Sequence, residues 1–226
     1  GTKVFDWTVP PEWQIRAGRL TGTNGAVYAN FKANNLHVMN YSEPINTHLS
    51  RDELDSHLHS LPHIPHAIPY VFSYYQPNWG FCLSHEMRQA LPQGDYHAEI
   101  DSTFIQGQLD FADMVLPGES ENEILLTSYL CHPSMANNEL SGPIVSMCLI
   151  DYFKKKNNNK TLRFVFLPET IGSIAYIQKN FYHLKKYVCG GYNLSCIGDD
   201  RTHSCMLSKF NNSASDESLI EAYKKL

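Results

Sequence analysis

The chain has 226 residues, of which 42% are hydrophobic and 18% are charged, a composition typical of a globular protein and not of a disordered or fibrous one. Its net charge of -5 argues against a general nucleic-acid or anionic-membrane surface, because either would need a concentrated basic patch. The longest apolar stretch, Gly142–Ile150, is too short to cross a bilayer, so neither nucleic acid nor a membrane is an expected partner.

The first part of the chain predicts short strands separated by turns. Alternating apolar residues at Leu36–Tyr41 and Tyr96–Asp101 predict strands with one buried face, and Gln106–Gln108 predicts a hairpin turn. A helix is expected after Ser50, because Ser50 fits an N-cap and Glu53 follows three residues later.

From about residue 119 the pattern changes to alternating strands and helices. The predicted elements are, in order, a strand at Glu123–Cys131, a helix at Ser141–Phe153, a strand at Leu162–Leu167, a helix at Ile171–Asn180 and a strand at Tyr187–Ile197. This order is typical of an α/β fold, in which a mostly parallel sheet is flanked by helices. The β-rich stretch before it is then an inserted or appended small domain.

Six cysteines are distributed along the chain without any C-x-x-C pair, so neither a zinc knuckle nor a thioredoxin-type motif is present. A chain of this length builds its core without disulfides, which predicts reduced thiols and a cytoplasmic location. The first residues lack a charged head followed by an apolar run, so no secretory signal is expected.

Polar residues follow each of the three predicted parallel strands. His132 comes after the first strand, Glu169 after the second and Asp199 after the third, and Asn138 lies in the segment that follows His132. In a parallel sheet the residues beyond the carboxyl ends of the strands meet at one edge. Imidazole and carboxylate together suit zinc, and a further carboxylate can activate its water, so this edge is predicted to be a metal site.

Each of these residues also has a structural interpretation. His132 could be a hydrogen-bonded turn residue, Glu169 could favour the start of a helix, and Asp199 could cap a turn. The histidine-rich stretch between residues 57 and 66 contains two prolines and no cysteine, which favours a surface or packing role over metal binding. Adjacent Cys131 and His132 cannot act as nucleophile and base within a strand, because consecutive side chains there point to opposite faces.

Several long motifs resemble one known family. CHPSMANNELSGP, RFVFLPETIGSIAY and the turn Gly198–Asp200 resemble the aminopeptidase-like proteins of the M28 zinc-peptidase clan that are described by the domains DUF4910 and DUF2172. NLHVMNYSEPIN and NWGFCLSH resemble the β-rich part of the same family. The resemblance implies three regions: residues 1–35 as an N-terminal segment of the peptidase-like domain, 36–118 as a DUF2172-like β-rich domain, and 119–226 as the α/β peptidase-like domain.

The resemblance also implies roles for the residues at the predicted sheet edge. His132 matches a metal-binding histidine, Asn138 stands where a metal-bridging aspartate is usual, and Asp199 matches a later acid. Glu169 matches the acidic motif that supplies the general base and one ligand. The implied cofactor is zinc at one or two positions, with the second position incomplete in this chain.

These observations lead to two hypotheses about function. The first is a metal-dependent hydrolase of the aminopeptidase type that acts on a small substrate with an amide or peptide-like bond, in a setting of surface glycan biosynthesis implied by the resemblance. The second is a catalytically inactive peptidase-fold protein that binds a ligand or partner, which Asn138 and Thr170 favour because each replaces an expected acid. The family pattern continues beyond Leu226, so the chain is expected to be either a fragment or a naturally shortened member. If it is truncated, its uncovered apolar surface would favour a homo-oligomer.

Overall fold

The computed structural model describes residues 1–132, 135–201 and 204–225 of the chain. They divide into two compact units, one formed by Gly1–Thr2 and Thr8–Gln108 and the other by Lys3–Trp7 and Leu109–Leu226. Both units combine strands and helices, so the protein belongs to the mixed α/β class.

The strands in chain order are β1 (Lys3–Val4), β2 (Trp7–Thr8), β3 (Glu12–Gly22), β4 (Val27–Asn30), β5 (Ile45–Ser50), β6 (Leu58–His59), β7 (Phe81–Cys82), β8 (Asp95–Ile105), β9 (Ala112–Leu116), β10 (Ser120–Tyr129), β11 (Lys160–Leu167) and β12 (Val188–Asn193). The helices are α1 (Arg51–Asp55), α2 (His85–Gln89), α3 (Ala136–Phe153), α4 (Ile171–Tyr187) and α5 (Ala214–Tyr223). Among the described residues, no helix combines the length and the apolar character that crossing a bilayer requires.

The larger sheet of the first unit has the strand order β4-β3-β8-β5, and all its neighbouring strands are antiparallel. Alternate residues of β8 point into the core, where Tyr96, Ala98 and Ile100 are almost fully buried. Because β3 and β4 belong to this sheet, residues 12–30 pack with the rest of the β-rich unit. The boundaries of the two units therefore differ from those of the three predicted regions. The assignment of these regions to named domains stays a prediction.

Two local predictions for this unit meet different outcomes. The capping box at Ser50 is confirmed, with the Ser50 side chain bound to the Glu53 backbone and the Glu53 carboxylate bound to the Ser50 N–H. The strand predicted at Leu36–Tyr41 is wrong. A 3-10 turn occupies Asn35–His37 instead, because the Asn34 side chain accepts a hydrogen bond from the Leu36 N–H and caps that turn.

The second unit contains a four-stranded sheet of order β12-β10-β11-β9. β10 is parallel to both β11 and β12, whereas β9 runs antiparallel to β11. Parallel pairing is thus mainly a feature of this unit, and over the described chain the sheets are mostly antiparallel. The expectation of a mostly parallel sheet for the molecule is wrong, because the helical crossovers that parallel strands need occur only after β10 and β11.

Alternate residues of β11 face two different helices. Leu162 and Phe164 pack with residues of α3, and Val165 and Leu167 pack with Tyr176 and Leu184 of α4. α3 and α4 therefore cover opposite faces of the sheet, which explains why the strand is apolar throughout its length. α3 begins five residues before the predicted helix, so Asn138 and Glu139 lie in its first turn.

Candidate active site

The candidate site lies where the parallel strands β10 and β11 end. Tyr129 pairs with Leu167 at the last position of the two strands, and the Leu130 N–H donates to the Leu167 carbonyl at 3.1 Å. One step further along, the Glu169 N–H donates to Cys131 Sγ at 3.2 Å. The strand pairing therefore brings the residues that follow β10 alongside those that follow β11, as expected for parallel neighbours.

His132 lies between two carboxylates. Its Nδ1 is 2.5 Å from Glu139 Oε1, and its Nε2 is 3.4 Å from Glu169 Oε2. The side chain of Glu139 is 5% exposed, whereas that of Glu169 is 49% exposed. One ring nitrogen is therefore held by a buried acid, and the other faces an acid that is open to solvent.

Glu139 is a functional candidate that the sequence interpretation missed. It lies in the first turn of α3, and its second carboxylate oxygen accepts a hydrogen bond from the Cys131 N–H at 2.5 Å. The N-terminal end of a helix favours a negative charge, and the contact with His132 Nδ1 completes the polar environment of this buried carboxylate. The sequence shows an acid seven positions after His132, but no local pattern marks it as a contact of that histidine.

Glu169 is followed by a strained backbone. Thr170 has φ 55° and ψ -68°, and the Ile171 N–H donates to the Glu169 carbonyl at 2.5 Å. These angles and the i to i+2 bond define a classic γ-turn, which is rare and costly for a β-branched residue. The turn sets the direction in which the chain leaves β11 and enters α4, and it fixes the backbone at Glu169.

Asn138 lies one residue before Glu139, in the same helical turn. Its Nδ2 donates to the Tyr129 hydroxyl at 2.9 Å and contacts Cys196 Sγ at 3.5 Å. Its Oδ1 is buried and has no hydrogen-bond partner among the described residues. The Tyr129 ring in turn meets the His132 ring edge-on, with centroids 6.0 Å apart, so Asn138 belongs to the same edge of the sheet.

The Asp199 carboxylate is paired with Arg201. It forms an ion pair with the Arg201 side chain and also accepts the Arg201 backbone N–H at 2.8 Å, and this pairing lowers the pKa of the Asp199 carboxyl. Within the described residues, the donor atoms that cluster with His132 come from Cys131 and Glu139, all within 4.8 Å of one another, and Asp199 is not among them. The structure thus brings His132 and Glu169 together and leaves Asp199 in a separate pair.

The loop before Asp199 is attached to the start of α3. The Asn137 side chain accepts the Gly198 N–H at 2.9 Å, and the Ser141 hydroxyl accepts the Ile197 N–H at 3.0 Å. Together with Asn138 and Glu139, these residues fix the chain that follows β10 and the chain that follows β12 to the first turns of α3.

Cys131 is close to His132 but is not an activated thiol. Cys131 Sγ lies 3.4 Å from His132 Nδ1, which is possible because β10 ends at Tyr129 and the alternation of a strand no longer applies. Partial burial of the sulfur and, to a smaller extent, the charges of the Glu139 and Glu169 carboxylates raise the pKa of the Cys131 thiol to about 11. A thiol with this pKa is a poor nucleophile at neutral pH, which argues against cysteine catalysis.

Histidines of the stretch between residues 57 and 66 contact separate neighbours. His57 stacks on Trp79 and bonds to its carbonyl at 2.9 Å, and His66 pairs with Glu86. None of these residues belongs to a metal-capable group in the part of the chain that the structure describes.

The donor atoms around His132 fit a zinc ion. His132 Nε2 is a nitrogen donor that lies 3.4 Å from Glu169 Oε2. The buried carbonyl oxygen of Asn138, which has no hydrogen-bond partner among the described residues, is an oxygen donor at the same sheet edge. Nitrogen and oxygen donors of this kind are those that zinc accepts in catalytic sites.

Comparisons with known proteins agree with a peptidase-like fold. The family model described as "Domain of unknown function (DUF4910)" matches residues 1–225. A curated relative from Clostridium acetobutylicum, described as "Putative polysaccharide biosynthesis protein with aminopeptidase-like domain", is 41% identical over 217 residues, which are 96% of this chain and 50% of the relative.

Solved structures also agree with a peptidase-like fold. A crystal structure of a "putative peptidase" from Clostridium acetobutylicum superposes with a TM-score of 0.89 at 39% identity, covering 98% of this chain and 52% of that one. A peptidase M28 precursor from Shewanella amazonensis shares the fold alone, with a TM-score of 0.55 and 7% identity over 80% of this chain and 58% of that one. The chain spans about half the length of the two Clostridium relatives.

Proposed function

The chain belongs to the DUF4910 family, and from this we propose that it is a metal-dependent hydrolase of the aminopeptidase type that acts on an amide or peptide-like bond. The observation that carries the proposal is the position of His132 Nε2, 3.4 Å from Glu169 Oε2 at the carboxyl ends of two parallel strands. A relative with an aminopeptidase-like domain and a solved peptidase structure support the reaction class.

The proposed roles follow from the geometry and the family resemblance. His132 and the carbonyl oxygen of Asn138 would hold zinc, and Asp199, whose carboxylate is paired with Arg201, would be a third ligand. Bound zinc would polarise the carbonyl group of the substrate. Glu169 is half exposed beside the ring, so its carboxylate is accessible to a water molecule and can accept the proton as that water attacks.

The biological setting is part of the same proposal. The curated relative is described as a putative polysaccharide biosynthesis protein, which supports a setting in glycan biosynthesis. A small substrate with an amide bond, drawn from surface glycan biosynthesis, is the finer part of the proposal. A DUF2172-like identity of the β-rich unit, a cytoplasmic location, assembly into homo-oligomers and the absence of nucleic-acid and membrane partners stay predictions.

Zinc uptake by the purified protein tests the proposal. We expect near-stoichiometric zinc in the wild type and loss of uptake in His132→Ala, because that substitution removes the only nitrogen donor of the proposed site. The control is His66→Ala, which removes an exposed histidine that also pairs with a glutamate through Nδ1. Elemental analysis and hydrolysis of aminoacyl amides give the readouts, and a zinc-free wild type that hydrolyses none of them would contradict the enzyme proposal.

The second candidate function is a peptidase-fold protein that binds a ligand without catalysis. The neutral amide of Asn138 and the pairing of Asp199 with Arg201 favour it, because both reduce the negative charge available to a metal. Asn138→Asp distinguishes the two. Tighter zinc binding in this variant supports the metal site, and unchanged binding removes Asn138 from it.

A further inference from the structure

We infer that Glu139 is the positioning residue of the proposed site: it holds His132 by Nδ1 so that Nε2 faces Glu169. This inference rests on the proposed function, and it adds a residue that neither the sequence motifs nor the comparisons assign. Three observations on one side chain carry it, namely its burial, its contact with the ring and its contact with the backbone of the same loop.

The two oxygens of Glu139 have separate tasks. Oε1 contacts His132 Nδ1 at 2.5 Å, and Oε2 accepts the Cys131 N–H at 2.5 Å. The first contact fixes the rotation of the imidazole ring, and the second fixes the backbone from which the ring projects. A carboxylate accepts both N–H groups at once, because each of its oxygens is an acceptor.

A direct ligand role for Glu139 fits the structure less well. Cys131, His132 and Glu139 offer sulfur, nitrogen and oxygen atoms within 4.8 Å of one another, which by itself is compatible with a metal. Both carboxylate oxygens of Glu139, however, are already engaged in short contacts with the Cys131 N–H and the His132 ring. A histidine that binds a metal usually gives its other ring N–H to a carboxylate, which is the arrangement observed here.

Glu139→Gln is the decisive variant, because it keeps the size of the side chain and removes one acceptor. An amide has one acceptor oxygen and one donor nitrogen, so it cannot accept hydrogen bonds at both of the positions that the two carboxylate oxygens of Glu139 occupy. We expect the variant to remain folded, to lose the fixed orientation of His132, and to bind zinc about 10- to 100-fold more weakly.

The first measurement is nitrogen NMR of the His132 ring in the metal-free protein. In the wild type we expect a protected N–H at Nδ1, and in Glu139→Gln we expect this signal to be lost or exchange-broadened. The matched control is Glu86→Gln, which removes an exposed carboxylate from the Nδ1 of His66 in the other unit and should leave His132 unchanged. A wild-type ring without a proton at Nδ1, or identical His132 spectra in wild type and Glu139→Gln, would overturn the inference.

The second measurement is metal binding, with zinc titration for affinity and cobalt substitution for ligand type. Zinc affinity that falls in Glu139→Gln but not in Glu86→Gln supports the inference. A sulfur-to-cobalt charge-transfer band in the wild type that disappears in Cys131→Ser would show Cys131 as a ligand and overturn it. If the wild type binds no metal, the proposed function fails, and the NMR measurement alone decides whether Glu139 positions His132.

Discussion

At the scale of single residues, the candidate site depends on a buried acid and a strained turn. Glu139 is 3% exposed and is compensated by the N–H groups around it, whereas Thr170 adopts a positive φ that costs a β-branched residue free energy. Strain of this kind persists only where the surrounding structure imposes it. Its position directly after Glu169 connects it to the orientation of the proposed general base.

Thr170→Gly should separate stability from function. Glycine adopts the γ-turn without steric cost, so we expect the free energy of unfolding to rise by about 1 kcal/mol. The same freedom should loosen Glu169, the proposed general base, and reduce hydrolysis. Urea unfolding and hydrolysis of aminoacyl amides measure the two effects.

Thr170→Ala serves as the control for this prediction. It removes the branched side chain but keeps a Cβ, so most of the backbone strain remains. A Thr170→Gly protein that is less stable than Thr170→Ala would contradict the role of strain at this turn.

At the scale of elements, α3 is held unusually close to the sheet. A Cβ at Gly142 would overlap the Leu194 carbonyl and the Ser128 hydroxyl, and Ser128 donates to that carbonyl at 2.9 Å. The absence of a side chain at Gly142 therefore allows the helix to approach β10 and the segment after β12. This approach brings the first turn of α3, with Asn138 and Glu139, to the ends of the strands.

Gly142→Ala has two opposing effects on the free energy of unfolding. Alanine is the better helix former by about 1 kcal/mol, yet its Cβ would meet backbone and side-chain atoms that have little room to move. We expect the packing term to dominate and the free energy of unfolding to fall by about 1–3 kcal/mol in urea titrations. Leu140→Ala, at an exposed position of the same helix, should change it by less than about 0.5 kcal/mol.

At the scale of the whole molecule, each unit has its own hydrophobic core, and the second unit adds a buried charge network. Arg163 on β11 bonds to Glu123 on β10 at 2.7 Å and to Asp113 on β9 at 2.8 Å. His183 of α4 also lies 2.9 Å from Glu123. The network joins three strands and a helix, and the hydrogen bonds from Arg163 hold the pKa of the Glu123 carboxyl below its ordinary value.

This network predicts loss of stability in acid. Since the pKa of Glu123 is lower in the folded than in the unfolded protein, its contribution is complete above about pH 4.5 and decreases as the pH falls through the folded-state pKa. Glu123→Gln should lower the free energy of unfolding by about 2 kcal/mol at pH 7, and by less at pH 3. Thermal unfolding across this pH range checks it, with exposed Glu121→Gln as the control, and a difference that does not depend on pH would exclude the assignment.

Much of the local structure could be predicted because it depends on neighbours in the chain. The capping box at Ser50 needs only Glu53 three residues later, and the buried strand at β11 needs only a short apolar run. The strand predicted at Leu36–Tyr41 failed because a single side chain, Asn34, competes for the backbone N–H of that segment.

His132 and Glu169 could be identified as candidates from the amino-acid sequence, because the carboxyl ends of neighbouring parallel strands lie at the same edge of a sheet. The side chains that contact them could be identified only in the folded protein. The contact of Glu139 with His132 depends on where α3 begins and how closely this helix packs on the sheet. That packing depends on contacts between segments remote in sequence, such as the close approach of Gly142 to Ser128 and Leu194, so no local pattern of residues could have specified it.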